Sequence, residues 1–191
     1  MKKLLVLFVA GTLITLTSCM DPESESVNNN TNNNTTTTTN NNNDNDPPDF
    51  MEYPAILSSV TDGDTVYVWY NNVKYKVRFL GVNTPETYGT VEPFGPEAKQ
   101  FTIDHLPVGS WVGLEFDDDN CATQTPIPDS CFDMYDRLLA YIRTEDDDDL
   151  GALLIVNGLG EVYTIADFNR KTQYLQLQNT AIANGVGIWS K

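Results

Sequence analysis

Histidine, cysteine and basic residues are all scarce in this chain. Its 191 residues include one histidine, His105, three cysteines, and 11 Lys and Arg against 27 Asp and Glu, for a formal net charge of −16. So few His and Cys side chains argue against a zinc site. The excess of acid repels nucleic acid in general, which argues against a protein that coats DNA but leaves room for a local basic site. The one long hydrophobic run at the start, Leu4 to Leu16, is too short to span a bilayer comfortably. Between residues 20 and 52 there is no basic residue at all, and no aromatic residue before Phe50.

These absences divide the chain. Lys2 and Lys3, the apolar run, and then Leu16-Thr17-Ser18-Cys19 resemble a bacterial lipoprotein signal, which implies cleavage before Cys19 and acylation of its thiol. Each acyl methylene buried in a bilayer contributes ~0.8 kcal/mol, so several chains make a firm anchor. The alternative is an ordinary secretory signal with an incidental cysteine. Residues 20–52, dominated by Asn and Thr from Asn28 to Asn45, bury too little apolar surface to offset their ordering entropy and read as a disordered tether. The expectation is an exported protein held on a bacterial membrane, with Asp21-Pro22-Glu23 after Cys19 favouring the outer membrane.

What remains, residues 53–191, is long enough for one core and is expected to act as a monomer. It carries nine basic residues against 20 acids, or −11. With Cys19 lipidated, Cys121 and Cys131 are left as a pair inside a Pro-rich polar stretch. In an exported protein a disulfide between them would add about 2.5 to 3 kcal/mol; two free thiols are the alternative.

Within the domain, Ala55–Val60 reads as a strand, Asp62-Gly63 as a turn using a positive φ at glycine, and Thr65–Tyr70 as a second strand before the hairpin signal Asn71-Asn72. Val73–Leu80 alternates, with Val73, Tyr75, Val77 and Phe79 on one face and Lys74, Lys76 and Arg78 on the other. That cationic stripe is either a solvated outer face or a path for phosphates. A helix is expected from Pro96 to Leu106, strands over Trp111–Phe116 and Leu138–Arg143, and helices over Leu150–Val156 and Arg170–Ala183, the last packing through Tyr174, Leu177, Ala181 and Ile182. His105 is expected to be exposed and structural. Glu145 to Asp149 lacks the spacing of an EF-hand and reads as a solvated turn. The class is α+β, mainly β with helices: a small antiparallel barrel with packed helices.

Two polar segments carry the chemistry: Asp62-Gly63-Asp64-Thr65 and Gly81-Val82-Asn83-Thr84-Pro85-Glu86, with Arg78 before the second and Tyr135-Asp136-Arg137 later. Acids and amides beside two arginines suit metal-assisted attack on a phosphodiester.

In the order DGDT, RFLGVNTPET, PFGPEA, YDRLLAYI and GIWS, the chain resembles the thermonuclease, or staphylococcal-nuclease-like, family from about Ser58 to Ser190. The resemblance implies a five-stranded OB-fold barrel with three packed helices and a calcium-dependent nuclease acting on DNA or RNA, leaving 3′-phosphates. It implies Ca²⁺ ligation by Asp64, Asn83 and the Thr84 carbonyl, handling of water by Glu86, phosphate contacts from Arg78 and Arg137, and a nucleotide near Tyr135. Lys74 and Lys76 would guide the strand. Two positions depart from the family. Asn83 stands where an aspartate is usual, which implies weaker calcium binding, and Asp136 stands where glycine is common. The rival reading is a non-catalytic binding module on the same barrel, or an adhesive domain on a tether.

Overall fold

The alternation along Val73–Phe79 becomes a barrel strand whose inner residues, Val77 and Phe79, are sealed from solvent. The computed structural model describes residues 46–190; Cys19 and most of the tether lie outside the described residues. Five strands close a barrel in the order β1 (Tyr53–Asp62), β2 (Thr65–Tyr70), β3 (Val73–Phe79), β6 (Leu138–Arg143) and β5 (Trp111–Glu115). Every pairing is antiparallel except β3 with β6. β1 breaks register with β2 between Leu57 and Ser59 and again between Val60 and Asp62. Such bulges bend a strand, so β1 reaches β2 with one end and β5 with the other.

The interior is filled by Leu57, Val66, Val68, Val77, Leu114, Leu138 and Ile142, all essentially without exposed surface. Each such side chain contributes about 1.5–3 kcal/mol on burial. Between β2 and β3, Asn71 and Asn72 have φ of 49° and 62°, the paired left-handed conformation of a tight hairpin turn.

Three helices pack on the barrel: α1 (Gly95–His105), α3 (Leu150–Val156) and α4 (Lys171–Asn184). A fourth, α2 (Asn120–Thr123), is a single turn within the excursion between β5 and β6. The expected three thus become four, because the excursion folds on itself around a disulfide between Cys121 and Cys131, Cα atoms 5.7 Å apart. The packed face of α4 runs Tyr174, Leu177, Ala181; Ile182 is 46% exposed, one residue and so about 100° round the helix.

The acidic run is a turn, but not a wholly solvated one. Asp149 caps α3 by accepting from the Ala152 amide at 3.0 Å, and it also accepts from Arg170 at 2.7 Å and Tyr174 at 2.9 Å. His105 is half-buried, stacked on Phe101 with its Nδ1 2.8 Å from the Phe101 carbonyl. A two-residue ribbon of β4 (Val82–Asn83) with β7 (Glu161–Val162) stands outside the barrel; it is too short to show a periodicity in sequence.

Candidate nuclease site

The site lies where the β1–β2 turn, the end of β3 and the β4 ribbon meet. Asp64 is buried in the turn. Its Oδ2 accepts from the Thr84 amide at 2.7 Å and the Thr84 hydroxyl at 3.0 Å, and its Oδ1 accepts from the Thr65 hydroxyl at 3.0 Å. These bonds tie two segments twenty residues apart in sequence. Gly63 does not have the positive φ expected of it. Glycine is required for space: a Cβ there would fall 2.8 Å from the Thr84 hydroxyl and 2.9 Å from Ala98. The Gly63 carbonyl also accepts from the buried Thr102 hydroxyl of α1 at 2.6 Å.

Arg78 leaves β3 with its guanidinium between the two segments. Nη1 forms an ion pair with Asp64 Oδ2, and Nη2 donates to Asn83 Oδ1 at 2.9 Å. Burial and the nearby Arg137 charge lower its pKa to about 10, while Glu86, Asp62 and Asp133 pull it upward. It therefore stays cationic at neutral pH. Both terminal nitrogens are thus engaged, Nη1 by the Asp64 carboxylate and Nη2 by the Asn83 amide oxygen.

Glu86 is held through its backbone. Its amide donates to Glu92 Oε2 at 3.0 Å, and the Glu92 amide donates back to the Glu86 carbonyl at 3.0 Å. Gly95 fits beneath, where a Cβ would come within 2.6 Å of that carbonyl. The carboxylate stays exposed to solvent. Its pKa is raised by partial burial, then by the Asp62 charge and hydrogen bond, with Arg78 opposing. Asp62 is fixed in turn, its Oδ1 accepting from the Thr87 hydroxyl at 2.9 Å and the Gly63 amide at 3.0 Å.

Arg137 comes from the other side, at the start of β6. Asp133 grips it: Oδ2 accepts from Nε at 2.7 Å and lies 2.6 Å from Nη2, while Oδ1 accepts from the Arg137 amide at 3.0 Å and the Tyr135 amide at 2.9 Å. Burial alone would raise the Asp133 pKa, but these bonds outweigh it and lower the value. Asp133 was missed in the sequence, although an acid two and four residues before the amides it captures is the pattern of an Asx turn. Asp136 has φ of 60°, a left-handed conformation that glycine adopts more readily than aspartate. Tyr135 is 69% exposed, its ring 5.3 Å from the Arg137 guanidinium.

Asp64, Arg78, Asn83 and Thr84 are therefore joined directly, with Glu86, Asp62 and Arg137 acting on Arg78 through their charge. Lys74 and Lys76 continue outward along β3, away from this cluster.

Among the described residues, no group of three His, Cys, Asp or Glu side chains is placed to hold a metal ion. The oxygen set of Asp64, Asn83 and the Thr84 carbonyl suits a hard cation in kind. It is poor in charge, with Asp64 its single carboxylate, and Asn83 Oδ1 already accepts from Arg78.

Residues 76–191 match the family described as staphylococcal nuclease homologue. The chain is 31% identical over 160 residues to an uncharacterized protein of Methanocaldococcus jannaschii, covering 72% of each. It is 33% identical over 140 residues to endonuclease YncB of Bacillus subtilis, covering 71% of this chain and 61% of that protein. Over 86 residues it is 37% identical to thermonuclease of Staphylococcus hyicus, covering 44% of each.

Proposed function

The chain belongs to the staphylococcal nuclease homologue family, and on that premise we propose that it hydrolyses phosphodiester bonds within DNA or RNA, leaving 3′-phosphates. The observation that carries this reading is the seating of Arg78 between Asp64 and Asn83, where the charges of both Arg137 and Glu86 reach its guanidinium.

The geometry supports a chemical role for each. Arg78, held between Asp64 and Asn83, and Arg137, fixed in direction by Asp133, are suited to offset the charge that grows on the oxygens of the scissile phosphate. Glu86, exposed and with a raised pKa, is suited to take a proton from the attacking water. The water oxygen forms a new bond to phosphorus as its proton passes to Glu86, the bond to the 5′-oxygen breaks in line, and that oxygen takes a proton from solvent while Glu86 returns its own. Asp64, Asn83 and the Thr84 carbonyl would hold Ca²⁺, which when bound supplies Lewis-acid polarisation of the phosphate. With one carboxylate in the set, calcium affinity is low.

The apolar run Leu4–Leu16 and Cys19 support export and lipid attachment, so the nuclease would work from a membrane surface at the end of a tether. Cys19→Ser should release the protein from the membrane fraction. For the chemistry, Glu86→Gln should lower the cleavage rate of plasmid DNA by at least about 100-fold while thermal unfolding is unchanged. Cleavage that survives that substitution would place the base elsewhere.

A further inference from the structure

On the outer face of β2 and β3, cations and aromatic rings stand in register. Thr65 is opposite Arg78, Tyr67 opposite Lys76, and Trp69 opposite Lys74. Directly opposed residues of antiparallel strands share a face, so Trp69, Tyr67, Lys74 and Lys76 form a ladder that ends at Arg78. Alternate residues of a strand are about 7 Å apart, which sets the spacing of the three cations. Lys74 Nζ lies 5.1 Å from the Tyr67 ring centroid and 5.9 Å from that of Trp69, both within cation–π reach. Trp69 is 49% exposed, and Ile56, opposite it on β1, is 37% exposed.

Two observations set this face apart. The first is charge. On a chain of net −16, Arg78, Arg137, Arg143, Arg170 and Lys171 are each neutralised by an acidic side chain. Among the described residues, Lys74, Lys76 and Lys99 are in no such ion pair; Lys99 stands alone on α1, whereas Lys74 and Lys76 lie on one face of β3 in line with Arg78. The second is composition. An exposed ring, Trp69, and a half-buried one, Tyr67, beside unpaired cations suit single strands, because every base offers a face for stacking and every linkage a negative charge.

We propose that this face is a docking track for a single nucleic-acid strand, with Trp69 and Tyr67 stacking bases and Lys74 and Lys76 pairing with phosphates on the way to Arg78. The proposal rests on the nuclease reading, and it locates the part of the strand that is not being cut. A strand fits better than a lipid surface because the ladder runs directly into Arg78, which also touches Asp64 and Asn83. Phosphates held at Lys74 and Lys76 would then lead the next linkage to the reacting position. Lys74, now over the rings, would turn its ammonium to a phosphate while a base takes the open side of Trp69.

The test uses the full chain carrying Glu86→Gln, so that bound strands are not consumed. Its probes are (dT)4 and (dT)12, followed by tryptophan fluorescence at several salt concentrations. Binding of (dT)12 should quench the emission, and this component should vanish in Trp69→Phe if that ring holds a base through its indole. Trp69→Ala should weaken (dT)12 binding by about 5- to 150-fold, the range for loss of one stacked base. Lys74→Gln with Lys76→Gln should lower the slope of log K against log salt by about 1.4, two phosphate contacts at about 0.7 each. The advantage of (dT)12 over (dT)4 should collapse in both variants. Unchanged (dT)12 affinity and salt slope in both would overturn the track, as would no binding by the parent. Loss of binding to anionic phosphatidylglycerol vesicles in Trp69→Ala, with (dT)12 binding intact, would overturn it in favour of a membrane contact. Cleavage by the chain with Glu86 intact is scored separately. Cutting without dependence on the ladder leaves the nuclease reading standing and removes the track, whereas ladder-dependent binding without cutting does the reverse.

Discussion

The Arg78 guanidinium donates to the Asn83 amide oxygen across 2.9 Å while its other terminal nitrogen faces the Asp64 carboxylate. One cation of the protein thus bridges two of the oxygens that would ligate a metal. An amide at position 83 accepts that bond but adds no negative charge, so the site holds one formal anion where an aspartate would make two. Asn83→Asp should therefore bind Ca²⁺ about tenfold more tightly, roughly 1.4 kcal/mol, because affinity in oxygen sites rises with ligand charge. Calorimetric titration of both proteins checks this directly, and equal affinities would contradict it.

Asp133 positions Arg137 from two sides, holding its guanidinium and its backbone amide with one carboxylate. Asp133→Ala should lower kcat by about 10- to 100-fold through misplacement of the guanidinium, with a smaller change in KM. The substitution should also cost about 1–3 kcal/mol of stability, since the Tyr135 and Arg137 amides lose their acceptor. Because the folded-state pKa of Asp133 is lowered, its stabilisation is present above the ordinary carboxylate pKa and fades as pH falls through the lower, folded value. The stability gap between Asp133→Asn and the parent should therefore narrow in strongly acidic buffer. A kcat within twofold of the parent would remove Asp133 from the positioning role.

Glu86 and Asp62 set the pH response. The Glu86 carboxyl is raised by partial burial and by Asp62, and only its ionised form accepts a proton from water. Activity should rise with pH through a midpoint above that of an ordinary glutamate. In Asp62→Asn the rise should move to lower pH, while the acceptor for the Gly63 amide and the Thr87 hydroxyl is kept. A pH profile of kcat/KM for the two proteins decides it; coincident acid limbs would show that the two carboxyls are not coupled.

The barrel was largely legible because its strands obey a simple period. Val77 and Phe79 inside, with Lys76 and Arg78 outside, is what a pleated strand imposes on any sequence that keeps one face dry. Contacts made across the chain were not legible. Gly63 looked like a conformational glycine, and only the approach of Thr84 and Ala98 shows that it is a steric one. Asp133 carries no period and sits in an acid-rich stretch, so its one local mark, the Asx-turn spacing to the Tyr135 and Arg137 amides, does not stand out. At Asp136 the sequence shows a departure from glycine, and the φ of 60° makes backbone conformation the constraint there. Asp149 likewise passed for a solvated acid because its partners, Arg170 and Tyr174, lie more than twenty positions away.

The disulfide bears on the site through Asp133, two residues beyond Cys131. Replacing both cysteines with serine should cost about 2.5–3 kcal/mol on the loop-entropy account, or about 5–10 °C in Tm. It should also lower kcat, because the segment carrying Asp133 loses its tether. Calorimetric unfolding with a parallel rate measurement checks both; unchanged Tm and kcat would make the bridge ornamental.

The most direct measurement is cleavage of plasmid DNA and of single-stranded RNA by the full chain, with Ca²⁺ or with chelator, for the parent and Glu86→Gln. The expected result is cutting by the parent that calcium stimulates, and a loss of at least about 100-fold in Glu86→Gln with the fold intact. A parent that cuts neither polymer at any calcium concentration, or a Glu86→Gln protein that cuts as fast as the parent, would contradict a phosphodiesterase built on Arg78, Glu86 and Arg137.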